Sequence, residues 1–143
     1  SCSLVGSEMC IRDRGPHENY VDKRRSSWHG RFESPVSDLF RNYLRPQENG
    51  SRSDCDYLCL AGKDLKIEVA SEEVFSFNAS YYSQEELTAK PHDYQLTEAN
   101  STILCLDHLM AGIGSQSCGP KLQEKYRVDF ETTTFSFAIR LSN

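Results

Sequence analysis

The sequence predicts an all-β fold built on an antiparallel meander, and three features carry that expectation. Apolar and polar residues alternate with a period of two through Leu65, Ile67 and Val69 and again through Phe75 and Phe77, the pattern of half-buried strands. Turn-forming clusters, Gly62-Lys63-Asp64 and Ser71-Glu72-Glu73, separate these runs. A third alternating run, Phe135, Phe137 and Ile139, closes the chain in sheet.

Composition bounds the rest. The 143 residues are enough for one domain, which would bury about 68% of its unfolded surface if it folds alone. A hydrophobic content of 38% is below the usual globular share and points to a small or incomplete core. The net charge of -5 argues against nucleic acid as a partner, because neutralising phosphates needs a basic face. No apolar run approaches the roughly 20 residues of a membrane helix, so a soluble protein with no membrane partner is expected.

Taken in order, residues 1–13 show no periodicity, no caps and no signal-peptide cleavage pattern. Their string Leu4-Val5-Gly6-Ser7-Glu8-Met9-Cys10-Ile11-Arg12-Asp13 resembles translated library-adapter sequence. They are expected to be a foreign leader, with the domain running over 14–143. Residues 14–28 are polar and turn-rich. His17 beside Glu18 invites an acid/base reading, but no second carboxylate or nucleophile stands at a meaningful spacing, which favours a tied-down turn. Ser34-Pro35 before Val36 predicts one helical turn, with Ser34 as cap and Pro35 at the first helical position.

Strands are expected over 54–60, 65–70 and 74–79, with Cys55, Tyr57 and Cys59 on one face. That face would hold the two thiols about 13 Å apart, too far for a disulfide or shared zinc. None of the six cysteines has a metal-ligand spacing, so buried or free thiols in a reducing, cytoplasmic compartment are expected. Ser83-Gln84-Glu85-Glu86 is a capping box: Ser83 accepts from the Glu86 amide and Glu86 returns the bond, starting a short helix that must stop before Pro91. Two last strands are expected over 125–130 and 132–141. Sequons at Asn49, Asn78 and Asn100 are set aside as turn residues, since no export signal accompanies them.

Two loops are dense in hydrogen-bonding groups. One, at 45–52, holds Glu48, Asn49 and Gly50; with Glu18 it supplies the only loop-borne carboxylate pair, Glu18 and Glu48. The other follows a strand near 102–107 and runs from Gly112 to Pro120. Its glycines Gly112, Gly114 and Gly119 allow close backbone approach, and Ser115, Gln116 and Ser117 offer neutral donors and acceptors beside Cys118. Cys118 as a nucleophile would need a base, and His108 has no orienting third group. A self-contained catalytic site is not expected.

Four motifs carry a family resemblance. Gly15-Pro16-His17-Glu18-Asn19-Tyr20 with Asp22; Tyr43-Leu44-Arg45-Pro46-Gln47-Glu48-Asn49-Gly50-Ser51-Arg52; Phe75-Ser76-Phe77-Asn78-Ala79-Ser80 with Tyr82 to Leu87; and Asp107-His108 with Met110 and Gly112-Ile113-Gly114 resemble, in order and spacing, the C-terminal domain of the large β-galactosidases of glycoside hydrolase family two. The resemblance implies an antiparallel β-sandwich of the galactose-mutarotase-like supersandwich type, of which this chain is roughly the C-terminal half, with one short helix. It implies a parent that hydrolyses terminal non-reducing β-D-galactosides such as lactose with retention and that forms homo-oligomers. The catalytic glutamates, a catalytic magnesium ion and a candidate sodium ion belong to a preceding barrel, so this segment is expected to be inactive alone and to hold no cofactor. The loop of Gly114, Gln116, Ser117 and Cys118 is expected to reach the rim of that barrel's site. Cys118 stands near the position where many relatives place a sugar-stacking Trp. Two other readings compete: a stand-alone carbohydrate-binding or mutarotase-like module using Glu18, His17 or Glu48, and a purely structural module.

Overall fold

The structure, a computed structural model, describes residues 2–4, 7–112, 119, 121–129 and 133–143. It is all-β and antiparallel, of sandwich-like type. Strands β1 (Cys2–Leu4), β2 (Ser7–Gly15), β3 (Trp28–Pro35), β4 (Arg52–Gly62), β5 (Lys66–Ser80), β6 (Thr102–Asp107) and β7 (Ala138–Ser142) form one sheet. Its order is β1-β6-β5-β4-β2-β3, with β7 on β5. The single α-helix among the described residues, α1, spans Gln84–Ala89.

Strand β5 organises the sheet and departs from expectation. The polar cluster Ser71-Glu72-Glu73 does not turn the chain; β5 runs through it for 15 residues. The excess is absorbed against β4, where the register jumps from Tyr57 opposite Ala70 to Cys55 opposite Phe75. The intervening residues bulge outward, leaving Glu72, Glu73 and Val74 exposed. A bulge of this kind bends a strand and increases its twist. The bend also divides β5's far edge: Lys66 to Ala70 pair with β7, whereas Ser76 to Ser80 pair with β6.

The same irregularity changes which side chains share a face. Cys55, expected beside Tyr57 and Cys59, instead joins Leu58 and Leu60 in the core with Val69, Phe75 and Phe77. Tyr57 turns out to the strand surface, where its hydroxyl donates to Glu68 Oε1 at 3.0 Å. Cys10, Cys55 and Cys59 are free thiols.

Within 1–13, Cys10 pairs with Ser34 of β3 and with Leu60 of β4 and is fully buried. Near 36 the single turn is a 3-10 turn, Val36–Leu39, entered from Pro35 with no side-chain cap. In α1 the cap is as expected, Ser83 Oγ accepting the Glu86 amide at 3.1 Å. Glu86 does not return the bond; its carboxylate accepts the amide of Thr97 at 2.9 Å, tying the helix to the segment before β6.

The strand expected over 125–130 is absent among the described residues. Tyr126 and Arg127 donate backward to Gln123 and Glu124 instead, closing the 3-10 turn Glu124–Tyr126. The final strand is shorter than expected, and Phe135 and Phe137 precede it.

Candidate functional site

The motif-bearing segments converge at the end of the sheet where β4 begins and β6 ends. Their first meeting point is Glu18. The amide of Gly50 donates to its Oε2 at 2.8 Å, and the Lys23 ammonium and the Tyr43 hydroxyl both donate to Oε1 at 3.1 Å. Burial raises the Glu18 carboxyl, but the Gly50 amide, Lys23 and Tyr43 outweigh it and leave it below its usual value. Charge-assisted bonds of this kind favour the ionised form. Glu18 is therefore a clamp.

Asn19 next to it is wholly buried and imitates a strand neighbour for β4. Its amide donates to Ser51 O at 2.9 Å, its Nδ2 donates to Ser53 O at 3.0 Å, and its Oδ1 accepts the Ser53 amide at 3.2 Å. Tyr20 packs inward, with Lys23 Nζ 5.0 Å above its ring.

Asn49 is the centre of the second motif. Its Oδ1 accepts the Arg41 amide at 2.8 Å, and its Nδ2 donates to Arg41 O and Gln47 O, each at 3.0 Å. Asn78 of β5 donates its side-chain amide to Asn49 O. Asn49 and Asn78 are thus buried amides engaged inside the fold, a role that their sequon context does not reveal. Gly50 has φ of +76°, and a Cβ there would collide with Leu39 O; both facts require glycine. Arg52, almost fully buried, donates to the same Leu39 O at 3.2 Å and to Gly50 O. Burial, then the neighbouring Arg12, lowers its guanidinium to about 10.

The third motif closes over the second. Phe40 and Tyr82 rings pack 4.7 Å apart, and Gln84 Nε2 reaches Glu48 Oε2 at 3.5 Å. The space between them, lined by Glu48, Asn49, Asn78, Tyr82 and Leu87 among others, is only about 10 Å³, about one water's volume. No sugar fits there. Burial, followed by the charge of Asp107, raises the Glu48 carboxyl, with Gln84 opposing. Burial likewise raises Asp107.

Asp107 belongs to the fourth motif, at the end of β6. There an open groove of about 560 Å³ is lined by Asp107, His108, Leu109, Arg127 and Phe135. The His108 ring stacks on Phe135 at 5.1 Å. Beyond this lies Gly112, against which the Asp22 carboxylate rests. Gly114, Gln116, Ser117 and Cys118 lie outside the described residues.

Glu18 and Glu48 do come into one neighbourhood, since both charges act on Tyr20. Glu18 is held within the fold, whereas Glu48 bonds the exposed Gln84 and lines an open groove of about 350 Å³ that Glu18 does not line. Burial pushes the Cys10 thiol up to about 11 and raises Cys55 further, so neither is an activated nucleophile. A further cluster was not legible in sequence because three strands supply it. His29 Nε2 lies 3.4 Å from Asp13 Oδ2 and 3.7 Å from Asp56 Oδ2. These three residues have the ligand types for a cation, but Asp13 Oδ2 already accepts the amides of Asp56 and Tyr57, both at 2.9 Å. Its first duty is to cap the bulge in β4. No helix among the described residues is long and apolar enough to cross a membrane.

An antiparallel sheet whose motifs are tied to one another at one end defines an all-β, sandwich-like domain. Comparison with known families identifies it: a profile described as beta galactosidase small chain matches residues 13–141, and the chain belongs to that family. Among its relatives are β-galactosidases of Actinobacillus pleuropneumoniae, 44% identical over 114 residues, and Staphylococcus xylosus, 35% identical over 127 residues. The β-galactosidase of Aeromonas hydrophila is 38% identical over 122 residues. These matches take in 80%, 89% and 82% of this chain but only 11%, 13% and 11% of the relatives.

Proposed function

We propose that this chain is a C-terminal segment of a cytoplasmic, homo-oligomeric β-galactosidase that hydrolyses terminal non-reducing β-D-galactosides such as lactose with retention. In this reading the segment lacks the catalytic residues, supports assembly, and sends the loop of Gly114, Gln116, Ser117 and Cys118 to the rim of a barrel active site carried elsewhere in the protein. The observation that carries it is the convergence of all four motifs on the stem of that loop, in a chain that spans about an eighth or less of its relatives' length.

Two features support the division of labour. The Glu18 carboxylate is held within the fold and that of Glu48 bonds Gln84, which supports placing the pair of carboxylates about 5 to 9 Å apart that glycoside hydrolysis uses in another part of the parent. In this reading magnesium and sodium belong with the barrel. The second feature is an unfinished core. Leu141 and Ile139 pair across from Ile67 and Val69, and cross-strand partners share a face. Ile67 and Val69 are buried, but Ile139 and Leu141 are 52% and 63% exposed. The core face thus continues past what the described residues cover, which supports a reading in which another part of the parent packs there.

The test is galactoside hydrolysis by the full-length protein, its loop-shortened form lacking 115–117, its Cys118→Ala variant, and the 143-residue segment alone. The segment is expected to have no activity, and loop shortening to raise KM. Activity of the segment alone would favour a self-contained sugar-processing module. Unchanged kinetics in both loop variants would remove the rim role.

A further inference from the structure

We infer that Asn49-Gly50 is a latent self-modification site, held closed by the Glu18 clamp and converted irreversibly to an acidic residue when the domain opens. Of the asparagines in the chain, only Asn49 precedes a glycine. Glycine leaves the following amide unshielded by a Cβ, so in an unfolded chain the Gly50 nitrogen can attack the Asn49 side-chain carbon. The bond from Gly50 N to Asn49 Cγ forms, the bond from Cγ to Nδ2 breaks, and ammonia leaves with the proton from the Gly50 amide. Water then opens the succinimide ring to aspartate or isoaspartate. No oxidant, metal or enzyme is needed.

In the fold both reacting nitrogens are occupied. The nucleophile, Gly50 N, donates to Glu18 Oε2 at 2.8 Å. Removing its proton would set an amide anion against a carboxylate, and like charges oppose this. Glu18 is itself a poor base, because its carboxyl sits below the usual value. The leaving nitrogen, Asn49 Nδ2, donates to Arg41 O and Gln47 O, both at 3.0 Å, and Oδ1 accepts the Arg41 amide at 2.8 Å. The peptide between the two residues is pinned as well, since Asn49 O accepts the Asn78 side-chain amide. Both residues are buried, which withholds the water of the second step.

The conversion is one-way in structure as well as in chemistry. An aspartate at 49 would turn a carboxylate oxygen toward Arg41 O and Gln47 O. An isoaspartate would add a backbone atom just before Gly50, whose φ of +76° and close approach to Leu39 O leave no slack. A chain that stays open long enough to react therefore cannot rebuild the cluster, and the converted fraction records the time spent open. Asn100 is exposed and followed by Ser101, and it serves as an internal reference.

The test is peptide mapping by mass spectrometry of the full-length protein incubated at mildly alkaline pH, with labelling of the buried Cys55 thiol reporting whether the domain is folded. In concentrated urea Asn49 should convert well ahead of Asn100; in buffer it should fall behind. Glu18→Ala should speed Asn49 conversion in buffer about tenfold, the weight of one charge-assisted hydrogen bond, with Asn100 unchanged and Cys55 still protected. If Glu18→Ala exposes Cys55, Tyr43→Phe decides. It removes one donor to Glu18 Oε1, leaves Asn49 and Gly50 untouched, and should speed conversion about threefold. Asn49 keeping its lead over Asn100 in buffer overturns the closed site. An unchanged rate in folded Glu18→Ala, or in Tyr43→Phe where that variant decides, overturns the role of Glu18 and the proposal with it.

Discussion

Replacing Asn49 by Ala is the most direct way to challenge the motif cluster. The side chain is almost fully buried and makes a fork: one accepted bond from the Arg41 amide and two donated bonds, to Arg41 O and Gln47 O. Each intramolecular hydrogen bond contributes about 1 kcal/mol net, so removing all of them costs about 3 kcal/mol before any cavity is counted. Water reaching Arg41 would reduce this, and the Asn49 carbonyl, which accepts from Asn78, survives in Ala. With a urea slope of about 2 kcal/mol per molar, the midpoint of unfolding should fall by roughly 1.5 M. The assay is urea denaturation of the 143-residue chain followed by far-ultraviolet circular dichroism. Asn49→Asp is the sharper variant: it keeps the acceptor for the Arg41 amide but turns a carboxylate oxygen toward two carbonyls, and should lower the midpoint at least as far. A loss below about 0.3 M in both variants corresponds to less than one hydrogen bond and would refute the claim that this amide holds the cluster together.

Glu48 gives a prediction in pH. Its folded-state pKa lies above the ordinary 4.5, through burial and then Asp107, so the folded chain binds the proton more tightly than the unfolded one. Stability from this group is full below 4.5 and declines as pH rises through the folded value; Glu48→Gln should therefore flatten the fall in Tm above that pH and raise Tm at neutral pH. A steeper fall in the variant would reverse the sign of the argument. At the sheet edge, Ile139→Lys with Leu141→Lys should lower self-association of the isolated segment in sedimentation, because charged residues on an edge strand oppose strand addition. In the full-length protein the same pair should lower Tm. Indifference in both settings would mean that nothing covers this face.

Much of the fold was legible because alternation marks strands whatever their partners are. The runs at 65–70 and 74–79 are both strand, but their union into one β5 was not readable. Ser71-Glu72-Glu73 is a good turn by composition, and only the three-residue slip of β4 against β5 shows that a bulge absorbs it. That slip also misassigned Cys55, since any face argument from period two fails past an irregularity. The run near 125 failed for a different reason: local carbonyl acceptors at Gln123 and Glu124 satisfied the amides that a strand would have paired. Of the site, Glu18, Glu48 and Asn49 were visible as polar groups in loops. Their assignment to internal bonds was not, because a carboxylate that clamps Gly50 and one that attacks a substrate have the same sequence signature.

For Glu18 the partners of its two oxygens separate these roles. A carboxylate placed for chemistry keeps an oxygen open to its substrate, whereas both Glu18 oxygens are occupied, one by a backbone amide and one by an ammonium and a phenol. Gly50 cannot become another residue without meeting Leu39 O, and Arg52 needs that same oxygen; the motif is specified by backbone geometry before any ligand enters. Fixing so many polar groups costs conformational entropy, which a loop serving only as a turn would not require. These contacts lead to the stem at Asp107 to Gly112, where the half-buried Asp107 carboxylate is followed by His108 stacked on Phe135. A module organised to hold a stem still is suited to completing a site that lies across a domain boundary. Its motifs therefore sit where the geometry of the stem is set.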